Sequence, residues 1–534
     1  MLGSTISKFS RITLVIMGLS LWSGPALAAA SVALKQAIAE SAQGDRTIAT
    51  FYKETGYEPI WIGREQDDRR RRTALLDAIA SVGDHGLPVG AYDISLLTRD
   101  LKTARSDRDL GRIEVALTDM FLEYARDVQT GYFRPSDIHD EIKRKVPLRD
   151  RGQILSAFVQ STPAAFMRAL APQTPEYTRL MKHKFRLEEV IARGGWGARV
   201  PDGKFQLGDS GNAVVALRNR LIAMGYMQRT SRATFDAQMQ KAVMAFQSAH
   251  GLNPDGVAGA GTIREINVSP TRRLGSVLAA MERERWTNMP RGERHIWVNL
   301  PDFSAVIMDH GKETFRTRAV VGAAVKDQRS PEFSDQMEYM VINPSWFVPY
   351  SITVNEYLPL MKENPNAVSH LNLIDDNGNV LSRQGIDFAQ FDETNFPFNL
   401  KEPPNRGNAL GLVKFMFPNR YNIYLHDTPA KSLFGRESRA FSHGCIRLAQ
   451  PFDFAYAILA RQTSNPQGLF KSYLDTGRES TVYLEQKVPV HLVYRTAFTD
   501  ARGNLHFRRD IYGRDGRIID ALVRAGVAIP GLQG

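Results

Sequence analysis

Phe441-Ser442-His443-Gly444-Cys445-Ile446-Arg447-Leu448 holds the one cysteine of a 534-residue chain. The chain opens with a stretch that reads as an export signal. Exported proteins usually keep their cysteines in pairs, as disulfides. A lone one points to a reactive thiol or to a partner on another chain. A lone cysteine is also commonly a buried hydrophobe, but Gly444 and His443 flank this one instead of an apolar stripe. A thiol is a weak nucleophile until it loses its proton, and a neighbouring imidazole can take that proton.

Upstream of the cysteine, Tyr421 to Leu425 reads as a strand with a turn at Pro418-Asn419 before it. Its alternation puts Asn422, Tyr424 and His426 on one side and Tyr421, Ile423 and Leu425 on the other. His426 then sits at a strand end, and the connection to Ser442 is long enough to bring Cys445 back beside it. The residues therefore suggest Cys445 as nucleophile and His426 as the group that moves its proton. Gly444 allows close backbone approach, and amides around Gly444 and Cys445 could hold an oxyanion. Arg447 either meets an anionic substrate group or pairs with a structural carboxylate. Metal is the competing reading, since His426, Asp427, His443 and Cys445 are all ligand types. The tight spacing from His443 to Cys445 and the absence of a second cysteine weigh against it. No metal and no cofactor are expected.

Outward from this site the texture is strand-rich. Ile296–Leu300, Ala305–Met308, Thr314–Val321, Met340–Pro344 and Leu412–Phe417 read as strands. Residues 351–406 are polar, rich in Asn and Asp, and too long for a plain loop. They read as an inserted lid, entered through Ser345-Trp346-Phe347-Val348-Pro349. Trp346 and Tyr424 could each be core or pocket wall. Val488–Tyr494 is a further strand, in a carboxy-terminal extension (476–534) expected to pack on the catalytic domain (294–475).

Before the strands lie two helical regions. Residues 31–195 read as a scaffold, clearest at 110–129, where Ile113, Leu117, Met120, Phe121, Tyr124 and Val128 share one face. Glycines at 194, 195 and 197 mark its end. Residues 203–268 read as a three-helix module, with Asp236 placed to cap the second helix. At the amino terminus Lys8 and Arg11 precede the apolar run Ile12–Trp22 and the small residues Ala26-Leu27-Ala28. This is the pattern of a cleaved secretory signal over residues 1–28, with an uncleaved anchor as the alternative. The net charge of +11 is spread along the chain, apart from Arg69-Arg70-Arg71-Arg72. That run reads as a solvated helix start, and no nucleic-acid signature accompanies it. The fold class expected is α+β and multi-domain.

At these motifs the sequence resembles a known family. "YNIYLHDTP" and "SHGCIRL" look like the catalytic signature of L,D-transpeptidases of the YkuD type. "NPSWFVP" and "GNALGLVKFMFP" are similar to neighbouring runs in the large Gram-negative periplasmic members. The 203–268 segment resembles the peptidoglycan-binding module of bacterial wall hydrolases. The resemblance implies a periplasmic enzyme that forms 3–3 cross-links between diaminopimelate residues through a thioester on Cys445. It implies a tetrapeptide stem as donor, a diaminopimelate amine as acceptor, and other cell-wall synthesis enzymes as candidate partners. Ser442, His443 and Gly444 would line the nucleophile loop, and Tyr424, Trp346, Ser442 and Arg447 would contact substrate. An L,D-carboxypeptidase, a wall-protein attachment enzyme and a non-catalytic wall-binding scaffold are the alternatives.

Overall fold

A computed structural model describes residues 30–531. The signal assigned to 1–28 lies outside the described residues. The architecture is α+β, with a helical amino-terminal region, a small helical module and a strand-rich domain.

The catalytic domain is built on twelve strands: β1 (Arg294–Asn299), β2 (Ser304–Asp309), β3 (Lys312–Gly322), β4 (Phe333–Ile342), β5 (Trp346–Phe347), β6 (Asn372–Ile374), β7 (Asn399–Glu402), β8 (Val413–Met416), β9 (Leu425–His426), β10 (Ala440–Ser442), β11 (Ile446–Leu448) and β12 (Ser480–Val493). Nine of them form one sheet in the order β10-β3-β11-β9-β8-β4-β12-β1-β2. A further pairing of β2 with β3 closes it on itself. Closure removes the open edges that would otherwise invite pairing with other chains. Val413, Phe415, Leu425, Ile446 and Leu448 fill its core. Their alternating neighbours Lys414, Tyr424, Cys445 and Arg447 are less buried and face the other way.

The sequence reading of 421–425 as a strand needs correcting. β9 is only two residues long. Before it the chain turns tightly around Asn419, whose Oδ1 accepts from the Tyr421 and Ile423 amides while its Nδ2 donates to the Phe417 and Ile423 carbonyls. Asn422 takes the left-handed φ of 52° that such a turn needs.

The lid starts earlier than position 351. β5 pairs with β7, and β7 with β6, to make a separate three-stranded sheet. Val348, Leu358, Met361, Phe388, Phe396 and Leu400 give this insertion its own core, with Trp346 packed against it. The domain boundary at 475 also moves. β12 runs parallel to β1 and antiparallel to β4 inside the closed sheet. Beyond it, Ala497, Phe507, Ile518, Leu522, Val527 and Ile529 join the core of the helical region, not that of the catalytic domain. Tyr494 and Tyr512 instead pack in the catalytic core.

Residues 270–286 form a helix that the sequence reading left unassigned. It is buried along most of its length because it passes between the helical region, the small module and the sheet. Its Glu-Arg-Glu-Arg-Trp end is tied in each direction. Glu282 accepts from the Phe133 amide at 3.0 Å, and Trp286 Nε1 donates to the Phe133 carbonyl at 2.9 Å. Arg283 pairs with Asp515 at 2.8 Å and with Glu332, which also pairs with Arg514 at 3.2 Å. Arg495 pairs with Glu284. Asp236 caps the second helix of the small module, Ala237–Ala249, accepting from the Met239 amide. The module meets the carboxy-terminal segment through Arg508 on the Ala249 carbonyl at 3.1 Å and Arg509 on Glu265 at 3.0 Å. The arginine run at 69–72 is not fully solvated. Arg71 donates to the Ile60 carbonyl at 3.3 Å, and Arg72 to the Trp61 and Gly63 carbonyls.

Candidate active site

Strands β8, β9 and β11 are adjacent, and their register decides which side chains meet. Ile446 pairs with Leu425 and Arg447 with His426 across the parallel β11–β9 ladder. Lys414 pairs with His426 across the antiparallel β8–β9 ladder. Paired residues point to the same face. Lys414, His426 and Arg447 therefore form a row across three strands. Cys445, one residue before β11, lies beside Tyr424, and the Ile446 amide donates to the Tyr424 carbonyl at 3.0 Å. His426 is thus a diagonal neighbour of the thiol, with Tyr424 stacked edge-to-face on the imidazole at 5.6 Å between ring centres.

The thiol is unpaired and half-buried. Its Sγ donates to the Asn422 carbonyl at 3.5 Å. His426 is 4% exposed, and its buried Nδ1 has no hydrogen-bond partner. The Tyr424 hydroxyl interacts with the thiol on one side and with the Trp346 side chain on the other. Trp346 and Tyr424 are therefore in contact beside the thiol.

The loop residues divide differently from expectation. Ser442 is buried; its Oγ donates to the Cys445 carbonyl at 2.5 Å and accepts from the Gly444 amide at 3.2 Å. It therefore pins the turn and does not face substrate. The same bond commits the Gly444 amide, which the sequence reading offered as an oxyanion donor. Gly444 itself has φ 111°, and a Cβ there would meet Ile423 at 3.1 Å. Its carbonyl accepts from Ser330 Oγ at 2.6 Å, so the loop is also held from beneath. His443 Nε2 lies 2.5 Å from Glu356 of the lid. Asp427 accepts from the Leu412 and Thr428 amides and from Lys431, which makes it a structural carboxylate.

Residues 293–466 match the family described as "L,D-transpeptidase catalytic domain", residues 210–266 that described as "Putative peptidoglycan binding domain", and residues 46–183 that described as "Scaffold domain". A Haemophilus influenzae protein named "Putative L,D-transpeptidase" is 31% identical over 259 residues, covering 48% of this chain and 50% of that one. The chain therefore spans about half the length of this curated relative. Residues 293–466 thus fall in the L,D-transpeptidase catalytic domain family. Solved L,D-transpeptidases from Xylanimonas cellulosilytica (15% identity, TM-score 0.17, 56% of this chain and 98% of that one) and Stackebrandtia nassauensis (14%, 0.22, 56% and 97%) are also similar, at scores too low to carry an argument.

The electrostatics of this L,D-transpeptidase site follow from the row of side chains. Burial first, then the Arg447 charge, hold His426 down to about 3, with Lys414 adding to the effect and the Asp427 and Leu410 backbone opposing it. Burial pushes the Cys445 thiol up to about 11, against the pull of Tyr424 and Arg447. Both groups are neutral near pH 7. The sequence left two roles open for Arg447. Among the described residues it has no carboxylate partner, and its buried Nε makes no hydrogen bond. Lys414 was not singled out from the sequence. The signal was present in Val413-Lys414-Phe415-Met416-Phe417, where a lysine interrupts a strand whose other face is apolar.

Proposed function

We propose that this chain is a periplasmic peptidoglycan L,D-transpeptidase that forms 3–3 cross-links. Cys445 Sγ attacks the carbonyl joining the L-centre of diaminopimelate to the terminal D-Ala of a tetrapeptide stem. The S–C bond forms, the C–N bond breaks, and the thiol proton passes through His426 to the departing D-Ala nitrogen. The amine of a second diaminopimelate then attacks the thioester, gives up its proton to His426, and restores the thiol. Tyr424 and Trp346 wall the donor's channel, and Arg447 meets a donor carboxylate.

The observation that carries this reading is the shared face of β9 and β11. There a lone thiol, a buried imidazole with a free Nδ1 and an unpaired guanidinium stand together beneath the lid. In a catalytic hydrogen bond, apo geometry is commonly loose and tightens when substrate arrives. The module at 210–266 would hold the chain on the wall, and export would follow from residues 1–28.

The test is incubation of the purified protein with tetrapeptide muropeptides, with products read by mass spectrometry beside Cys445→Ala. Cross-linked dimers are the expected product. Tripeptides alone would make it an L,D-carboxypeptidase, and stems joined to a protein amine an attachment enzyme. Neither dimers nor tripeptides from wild type, with wall binding intact, would leave a non-catalytic scaffold. Equal activity in Cys445→Ala would remove Cys445 as nucleophile.

A further inference from the structure

We infer that Lys414 is a specificity-determining residue which, with Arg447, clamps the terminal carboxylate of the donor's D-Ala. This rests on the proposed reaction and deepens it. Lys414 and Arg447 are the direct ladder partners of His426, one on each side and on the same face. In the reaction His426 delivers a proton to the D-Ala nitrogen. The carboxylate of D-Ala lies two bonds from that nitrogen, so whatever flanks His426 flanks that carboxylate.

The two cations are suited to an anion and lack one. Lys414 makes no hydrogen bond or ion pair among the described residues. Its surroundings push its ammonium below the usual lysine range through burial. Glu479 acts on it from a distance, but its carboxylate accepts from the Ser345 amide, and Lys401 of the lid opposes it. Arg447 has no carboxylate partner among the described residues. Desolvated cations without partners are costly unless a ligand supplies the counter-charge. A carboxylate between them would receive charge-assisted hydrogen bonds from both sides. A stem extended past D-Ala has an amide at that place, and the clamp would reject it.

The experiment compares three synthetic donors with a fixed acceptor: the tetrapeptide, its terminal amide, and the tetrapeptide amidated instead at the D-centre carboxylate of diaminopimelate. The readout is the ratio of kcat/KM for the free tetrapeptide to that for each amide. In wild type the ratio for the terminal amide is expected to be about tenfold or more. Lys414→Met and Lys414→Gln should lower that ratio several-fold, and Lys414→Arg should hold it. Having both neutral variants guards against one of them failing to fold. An unchanged ratio in the neutral variants overturns the clamp while the transpeptidase reading stands. Discrimination confined to the diaminopimelate amide also overturns it, because the carboxylate read would be a different one. No turnover of any donor by wild type overturns the proposed reaction and the clamp together.

Discussion

The free enzyme should not contain a thiolate–imidazolium pair, and its alkylation kinetics should say so. Cys445 is pushed up to about 11 and His426 down to about 3. Moving the proton from one to the other crosses a gap worth about 11 kcal/mol at ~1.4 kcal/mol per pH unit. The new charges would attract each other, which returns about 3–4 kcal/mol at a near-surface effective dielectric. About 7 kcal/mol remains, so the neutral pair dominates. At pH 7 the thiolate is then on the order of one molecule in 10⁴, against about three in a hundred for an ordinary cysteine. Iodoacetamide should therefore modify Cys445 about 300-fold more slowly than a free cysteine at pH 7, the rate rising about tenfold per pH unit up to pH 10. As the chain has one cysteine, the adduct can be counted by intact mass. A rate that is flat between pH 5 and 8, or inflects near 6, would refute this reasoning. The corollary is that the donor must help to activate the thiol. A carboxylate across Arg447 and Lys414 would offset the charges that add to burial in holding His426 neutral.

Other outcomes follow from the same structure. A carbapenem should add its mass to the wild-type chain and not to Cys445→Ala; an adduct on the alanine variant would place the nucleophile elsewhere. Glu332→Ala leaves Arg283 and Arg514, both buried, without a shared carboxylate, and should cost about 3–5 kcal/mol in urea unfolding; a loss under about 1 kcal/mol would mean that water or Asp515 compensates. His491 is held down to about 4, chiefly by burial, so its contribution is fully present above the unfolded value near 6.5 and is lost as pH falls toward 4. Wild type should therefore lose about 1.4 kcal/mol per pH unit more than His491→Gln between pH 6.5 and 4; parallel pH profiles would contradict this.

Much of the site was legible because chemistry-bearing residues are rare. One cysteine and a histidine at a strand end suffice to name the proposed reacting pair, and strand alternation puts Tyr424 with His426. Ladder register is what the sequence hid. Nothing local says that β11 lies between β3 and β9, or that Arg447 stands opposite His426, because those pairings join segments far apart in the chain. Lys414 was missed for that reason. Ser442 and the Gly444 amide were misassigned because a turn can spend its own polar groups internally, as the Ser442 Oγ bonds do. The helix at 270–286 escaped notice because its buried end carries the charged residues Glu282 to Arg285, which pair with partners far away in the chain, so its apolar pattern does not match its burial. The carboxy-terminal segment touches the catalytic domain through Tyr512 and Arg514 but buries most of its apolar side chains in the helical region, a division that no local signal announces.

That buried helix, with the Arg508 and Arg509 contacts behind it, bears on reach. A module hung on a loose tether samples a volume set by its linker length. Here the segment that would grip the wall and the segment that carries Cys445 are struts of one frame. If residues 210–266 hold a glycan strand, the thiol stands at a set distance from the point of grip. The enzyme would then act as a spacing gauge, joining the stems that fall at that distance and passing over nearer and farther ones.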